Sequence, residues 1–96
     1  MPGICRLNDK DSGHPPAFPG RQNNKASQDT FVDKKGVHRK TDTWIQHCCP
    51  NNGCHTSSTA TASTTVFVNK LGAARIGDSL NCGGKIVEGS TTVIIG

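Results

Sequence analysis

Aromatic side chains make up only 4% of this 96-residue chain and apolar ones 32%, too few to fill a large hydrophobic core. A small chain with so thin a core needs a staple: disulfides, a bound metal or a partner chain. Helix signals are nearly absent as well. No window of a dozen residues places apolar side chains at i, i+3, i+4 and i+7 without a Gly, Pro or β-branched interruption. No apolar run is long enough to span a bilayer, and no signal-peptide core follows Met1. The expectation is a soluble chain made in the cytoplasm, exported if at all by something other than a leader. Glu88 is the only glutamate, and there is no His-Glu-x-x-His motif, no nucleophile elbow and no Cys-x-x-Cys redox pair. These absences remove the familiar hydrolase and thiol-oxidoreductase readings, and the chain is not expected to be an enzyme.

What stands in their place is chemistry for a staple. Five Cys and four His are present, and an odd Cys count with clustered His fits a metal site better than a fully paired disulfide frame. Net charge is +4, with Lys34, Lys35, Arg39 and Lys40 grouped in one segment. Such a segment can meet phosphates, but no aromatic platform for bases accompanies it. It reads as a solvated face, and nucleic acid is not expected as a partner.

Short β-branched runs punctuated by Gly, Asn and Asp dominate the chain, which predicts an all-β fold with much loop. Residues 1–96 are expected to form a single domain. Residues 4–9 read as a weak strand and residues 10–20, with Pro15, Pro16 and Pro19, as an ordered loop. Residues 21–26 read as polar linker, 27–33 as a strand, 33–36 as its turn and 37–44 as the returning strand. Residues 47–55 hold three Cys and two His around a Pro-Asn-Asn-Gly turn. Residues 56–63, rich in Ser, Thr and Ala, read as a stretch without chemistry. A last strand is expected over 85–95.

Overlaying these pieces exposes an internal repeat. Residues 31–42 lie on residues 67–78 without a gap, and six of twelve positions match: Phe31/Phe67, Val32/Val68, Lys34/Lys70, Gly36/Gly72, Arg39/Arg75 and Asp42/Asp78. The start of the unit recurs a third time, as Ser90 followed by Ile94 and Ile95, and its second half stands at the other end of the chain as Cys5-Arg6-Leu7-Asn8-Asp9. Three hairpin units with one split across the termini favour a closed ring over an open solenoid. Residues 3–9 and 90–96 are therefore expected to pair, in a pseudo-threefold body of triangular or conical shape.

After each Arg-x-x-Asp the chain reaches a metal-ligating side chain. His14 follows Asp9 by five residues, His47 follows Asp42 by five and Cys82 follows Asp78 by four. Equivalent arms of a pseudo-threefold body converge on its axis, which brings two imidazoles and a thiolate to one point. Tetrahedral Zn²⁺ takes four N or S ligands. The fourth is sought in the long middle arm, where His55 is the first choice and Cys54 or Cys48 follow. The adjacent pair Cys48 and Cys49 reads as one ligand candidate and one spare, Cys5 as a small core residue, and His38, which overlays Ala74, as packing or surface. A repeat of Arg and Asp once per unit suits structural ion pairs, whereas a hydrolytic site would occur once. The metal is expected to be structural.

Gly72-Ala73-Ala74-Arg75-Ile-Gly-Asp78, preceded by Val66-Phe-Val-Asn69 and followed by Cys82-Gly-Gly, resembles the PAAR-repeat family, with Gly72 in place of the Pro of the Pro-Ala-Ala-Arg signature. Residues 3–9 with Gly13-His14 fit that family's opening, so the resemblance runs over nearly the whole chain. It implies a cone of three short β-hairpin-like units with a zinc ion near the apex, held by three His and one Cys, here His14, His47, His55 and Cys82. It also implies a structural, membrane-piercing tip that caps and sharpens the trimeric β-helical spike of a contractile injection machine. In that role a monomer caps a homotrimer and meets the target outer membrane transiently. The rich 47–55 arm and the lack of an appended effector favour a phage tail baseplate, with localisation on the virion, over a type VI secretion spike. A small zinc-dependent nucleic-acid-binding module is the alternative of a different class.

Overall fold

The computed structural model describes residues 2–15, 18–49 and 53–96. They contain six strands and no helix: β1 (Phe31–Val32), β2 (Lys35–Gly36), β3 (Thr43–Cys49), β4 (Gly53–Ser58), β5 (Phe67–Val68) and β6 (Leu71–Gly72). The strands pair as three separate antiparallel hairpins, β1–β2, β3–β4 and β5–β6. The first and third are the repeated unit. Each turns on two residues with positive φ, Asp33 and Lys34 in one and Asn69 and Lys70 in the other, as a tight two-residue hairpin demands.

The ring closes as the repeat requires. Gly3 bridges Ile94 in antiparallel register, the amide of Ile4 donates to Val93 O at 3.0 Å and that of Ser90 to Ile4 O at 2.9 Å. The split unit is thus assembled from both ends of the chain. At the centre, the equivalent residues Cys5, His38 and Ala74 form a cyclic set of backbone bonds. Cys5 N donates to Ala74 O (2.8 Å), Ala74 N to His38 O (2.9 Å) and His38 N to Cys5 O (3.0 Å). This cycle marks the pseudo-threefold axis. Around it, Gly3, Gly36 and Gly72 each lie against the carbonyl oxygen of Ser90, Ser27 or Ser63, which a Cβ would overlap. The motif's Pro-to-Gly change therefore falls where the backbone approaches too closely for a side chain.

The regular strands are shorter than the β-branched runs suggest, and the cause is local. Ser27, Ser63 and Ser90 are buried, and each hydroxyl accepts the backbone N–H groups two and three residues on. These Ser turns compete with ladder pairing and break the strands expected over 27–33 and 85–95. The strand expected over 37–44 breaks at Thr41, which has φ 75°. Arg6, Arg39 and Arg75 then bracket the second turn of each unit. In all three the Arg backbone N–H and Nε–H donate to one carboxylate oxygen of the Asp three residues on, and Nη2–H donates to the other, at 2.7–3.0 Å.

Apolar packing is as thin as the composition implies. One cluster joins Cys5, Trp44, Ala74, Leu80 and Ile86, and a second joins Ile4, Val37, Val68 and Ala73. Among the described residues twelve buried polar side chains stand beside ten buried apolar ones, and no buried side-chain N or O lacks a partner. Hydrogen bonds, more than hydrophobic area, specify this interior. Two segments read from sequence as bland belong to it. Asn23, in the supposed linker, is fully buried and bonds Asn8 N, Arg6 O and Asp9 O. Thr59, in the Ser/Thr/Ala stretch, accepts from Trp44 Nε1 at 3.0 Å and bonds His38 Nε2 at 2.7 Å.

His38 is a core residue, 0% exposed, with Nδ1 on Lys25 O at 2.8 Å and its ring edge-on to Trp44. Burial pushes its pKa below the ordinary histidine value, against an opposing pull from the Lys25 carbonyl. The unfolded chain therefore binds the proton first as pH falls, so the fold loses stability below about pH 6.5 until His38 itself is protonated. Each tenfold difference in proton affinity contributes about 1.4 kcal/mol to that loss. Melting temperatures of the metal-free protein between pH 8 and pH 5 should fall, and His38→Gln should flatten the slope. A slope unchanged in that variant would remove His38 as its source.

Candidate metal centre

Three arms leave the ring and meet. The first is the loop after Asp9, closed by Lys10 bridging Gln22 and by paired backbone bonds between His14 and Phe18 (3.1 and 3.0 Å). Gly13 has φ 69°, and a Cβ there would run into Phe18 O, so only glycine lets the loop turn tightly enough to aim His14 inward. The third arm is the turn after Leu80, where Gly83 N donates to Leu80 O at 3.0 Å and Cys82 N to Ser57 Oγ at 3.1 Å. Cys82 is thereby pinned to β4.

The middle arm is the β3–β4 hairpin, the longest regular element, whose strands extend the Cys- and His-rich cluster of residues 47–55 on both sides. Its register pairs Trp44 with Ser57, His47 with His55 and Cys48 with Cys54, with one extra β3 residue between Trp44 and His47. Trp44 and His47 lie three residues apart and would face opposite sides of an unbroken strand. The bulge resets the alternation, and both are buried, at 1% and 4% exposure. Directly opposed residues of an antiparallel pair share a face, so His55 stands beside His47. One position on, Cys48 and Cys54 face the other side, where they are joined as a disulfide. That bond corrects two expectations. Cys54 and Cys48, the fallback choices, are not free to supply a fourth ligand, and Cys48 is not the ligand candidate of the adjacent pair. Cys5 and Cys82 stay free, so the set is not a fully paired frame. The Cys49 side chain and residues 50–52, where the Pro-Asn-Asn-Gly turn is expected, lie outside the described residues.

Four ligand atoms converge. His14 Nε2 lies 3.1 Å from His47 Nε2 and 3.0 Å from His55 Nε2, and the latter two are 2.7 Å apart. With Cys82 Sγ included, all four atoms lie within 4.8 Å of one another. The tautomers follow from the other ring nitrogens. His14 Nδ1 donates to Pro15 O at 2.9 Å and His47 Nδ1 to Pro19 O at 2.8 Å, which leaves Nε2 of each with a bare lone pair. Partial loss of water, then the neighbouring His47 and His14 and the Arg21 charge, hold the His55 pKa below its ordinary value. The nitrogen spacings approach the edge of about 3.3 Å that tetrahedral ligands at about 2.0–2.1 Å require. The group can hold a metal ion.

Neighbours that the sequence did not flag complete the site. The Phe18 ring packs on all three imidazoles, with centroids 4.7, 4.8 and 4.4 Å from His14, His47 and His55, and shields them from water. Arg21 reaches Cys82 Sγ through Nη2 at 3.1 Å. Neither residue sits at a repeat offset, so the overlay carried no signal for them. A family profile described as PAAR motif matches residues 12–88, which covers all four converging residues and most of the chain. Among curated proteins, none matches the sequence.

Proposed function

The chain belongs to the PAAR-motif family, and we propose on that premise that it is the tip of a contractile machine's central spike, a single domain over residues 1–96. The coarse role, a spike-tip component of a phage tail or a type VI secretion machine, comes with the family. The finer reading is a monomer that caps a trimeric β-helix, on a phage tail baseplate in the first instance and on a secretion spike in the second. It would contact the target outer membrane transiently as the machine fires.

One observation carries the reading. Phe31, Phe67 and Ile94 occupy equivalent places in the three units and are 59%, 59% and 55% exposed. Single exposed apolar residues are ordinary, but a large one repeated around a pseudo-threefold axis offers a threefold partner the same contact three times. The hairpin backbones beside them can extend a β-helix by strand addition.

In this reading His14, His47, His55 and Cys82 hold Zn²⁺, and the ion supplies a closed structural cross-link between three arms that must stay together under load. Arg39, part of the basic segment behind the nucleic-acid alternative, is engaged with Asp42 and with Asn69 Oδ1 at 2.9 Å, which weakens that alternative's motivation. The test is binding of the metal-replete protein to a trimeric spike β-helix fragment. Association is expected, with a loss of at least 100-fold in Phe31→Asp/Phe67→Asp, about 3 kcal/mol at an anchor of the interface. A metal-replete protein that binds no such fragment would sink the proposal.

A further inference from the structure

Arg21 lies in the segment that reads as polar linker, yet its side chain is 2% exposed and that of its partner Asp11 is 0% exposed. Its guanidinium donates in four directions. Nε–H reaches Asp11 Oδ2 at 3.3 Å, Nη1–H reaches Ile45 O at 2.9 Å and His55 O at 3.2 Å, and Nη2–H reaches Cys82 Sγ at 3.1 Å. These acceptors belong to the three different arms. Asp11 lies on the first, three residues before His14, Ile45 and His55 on the two strands of the second, and Cys82 on the third. Among the described residues no other side chain bonds all three.

Asp11 is held just as firmly. Its Oδ1 accepts from Gly13 N at 3.2 Å and Arg21 N at 2.8 Å, so the carboxylate both neutralises the guanidinium and sets the residue before His14. The pair thus touches the backbone next to one imidazole, the backbone of a second and the sulfur itself. An N–H aimed at sulfur leaves the remaining sulfur lone pairs for the side where the three nitrogens converge.

We propose that Arg21, braced by Asp11, is the positioning residue of the metal centre. It draws the arms together before an ion binds and orients Cys82 Sγ toward the three imidazoles. A planar fork with several fixed donors can do this where a lysine, a single flexible point charge, cannot. The proposal rests on reading His14, His47, His55 and Cys82 as a metal site, and the test separates the two ideas. It follows Co²⁺ binding to the whole protein through the thiolate-to-cobalt charge-transfer band, with affinity measured against a competing chelator.

The wild-type protein is expected to bind Co²⁺ with such a band. Arg21→Lys, which keeps a charge against Asp11, should bind roughly 10- to 100-fold more weakly. Its band should move to lower energy, because the sulfur has lost its N–H donor. Asp11→Asn/Arg21→Gln, which removes both charges together, should show the same two changes. Arg6→Lys perturbs another part of the fold and should leave the band where it was, so general loosening does not imitate the effect. Either Arg21 variant binding Co²⁺ with unchanged affinity and an unmoved band would overturn the positioning role alone. A wild-type protein that takes up no Co²⁺ would overturn the metal reading, and this role with it.

Discussion

The purified protein should carry one zinc ion per chain, and His14→Ala combined with Cys82→Ala should abolish binding and lower the melting temperature by about 15–30 °C. The size follows from linkage. An ion present at about a thousand times its dissociation constant stabilises the folded form by about 4 kcal/mol. Near the melting point of a domain this small, each kcal/mol corresponds to roughly 4–8 °C. Without the ion, the three arms keep only their mutual hydrogen bonds. His55→Ala alone should also reduce metal content, because its Nε2 is 2.7 and 3.0 Å from the other two. Cys48→Ser/Cys54→Ser should retain the metal, since that pair faces away from the site. Elemental analysis with thermal melting, before and after dialysis against a chelator, reads all of these. Full metal content in the His14/Cys82 variant would remove the site from the account.

Asp42→Ala should be among the most damaging single changes outside the metal centre, at about 3–5 kcal/mol. Its carboxylate is 2% exposed and accepts three bonds from Arg39, one backbone and two side-chain. Truncation strands a mostly buried guanidinium and releases the turn that directs the chain from ring to arm. Against a total stability of about 5–15 kcal/mol, that loss is close to unfolding. Asp33→Ala is the control. Asp33 also pairs with an arginine, Arg6, but its side chain is 37% exposed, and solvent-screened pairs contribute about 0–1 kcal/mol. Denaturant melts of the two variants should separate by several-fold in stability loss. Equal losses would mean that the bracket is no more than a surface pair.

The bracket was legible in sequence because it is local. An Arg and an Asp three residues apart reach one another whatever the rest of the chain does, and three copies of the pair disclosed the repeat, the split unit and the closed ring. The offsets to His14, His47 and Cys82 were legible for the same reason, since equivalent positions in a ring point toward its axis. The elements that were misread depend on distant partners. Arg21 and Asn23 look like linker because their acceptors are contributed by Asp11, Ile45, His55, Cys82, Arg6 and Asp9, several of them far along the chain. Phe18 sits in a proline-rich loop and acquires its role only when His47 and His55 of the β3–β4 hairpin gather beside it and His14.

The amino-acid order by itself determined the all-β class, the threefold repetition with its seam at the termini, and the convergence of three arms. All of these are set by short-range hydrogen bonding and by matched spacing. Only the tertiary structure decided what the middle arm does. In an antiparallel hairpin, register assigns each side chain to a face, and neighbouring positions fall on opposite faces. A single bulge between Trp44 and His47 therefore sends His47 and His55 to the site and locks Cys48 to Cys54 behind it. Composition and spacing could not separate those outcomes, because one residue of register exchanges them.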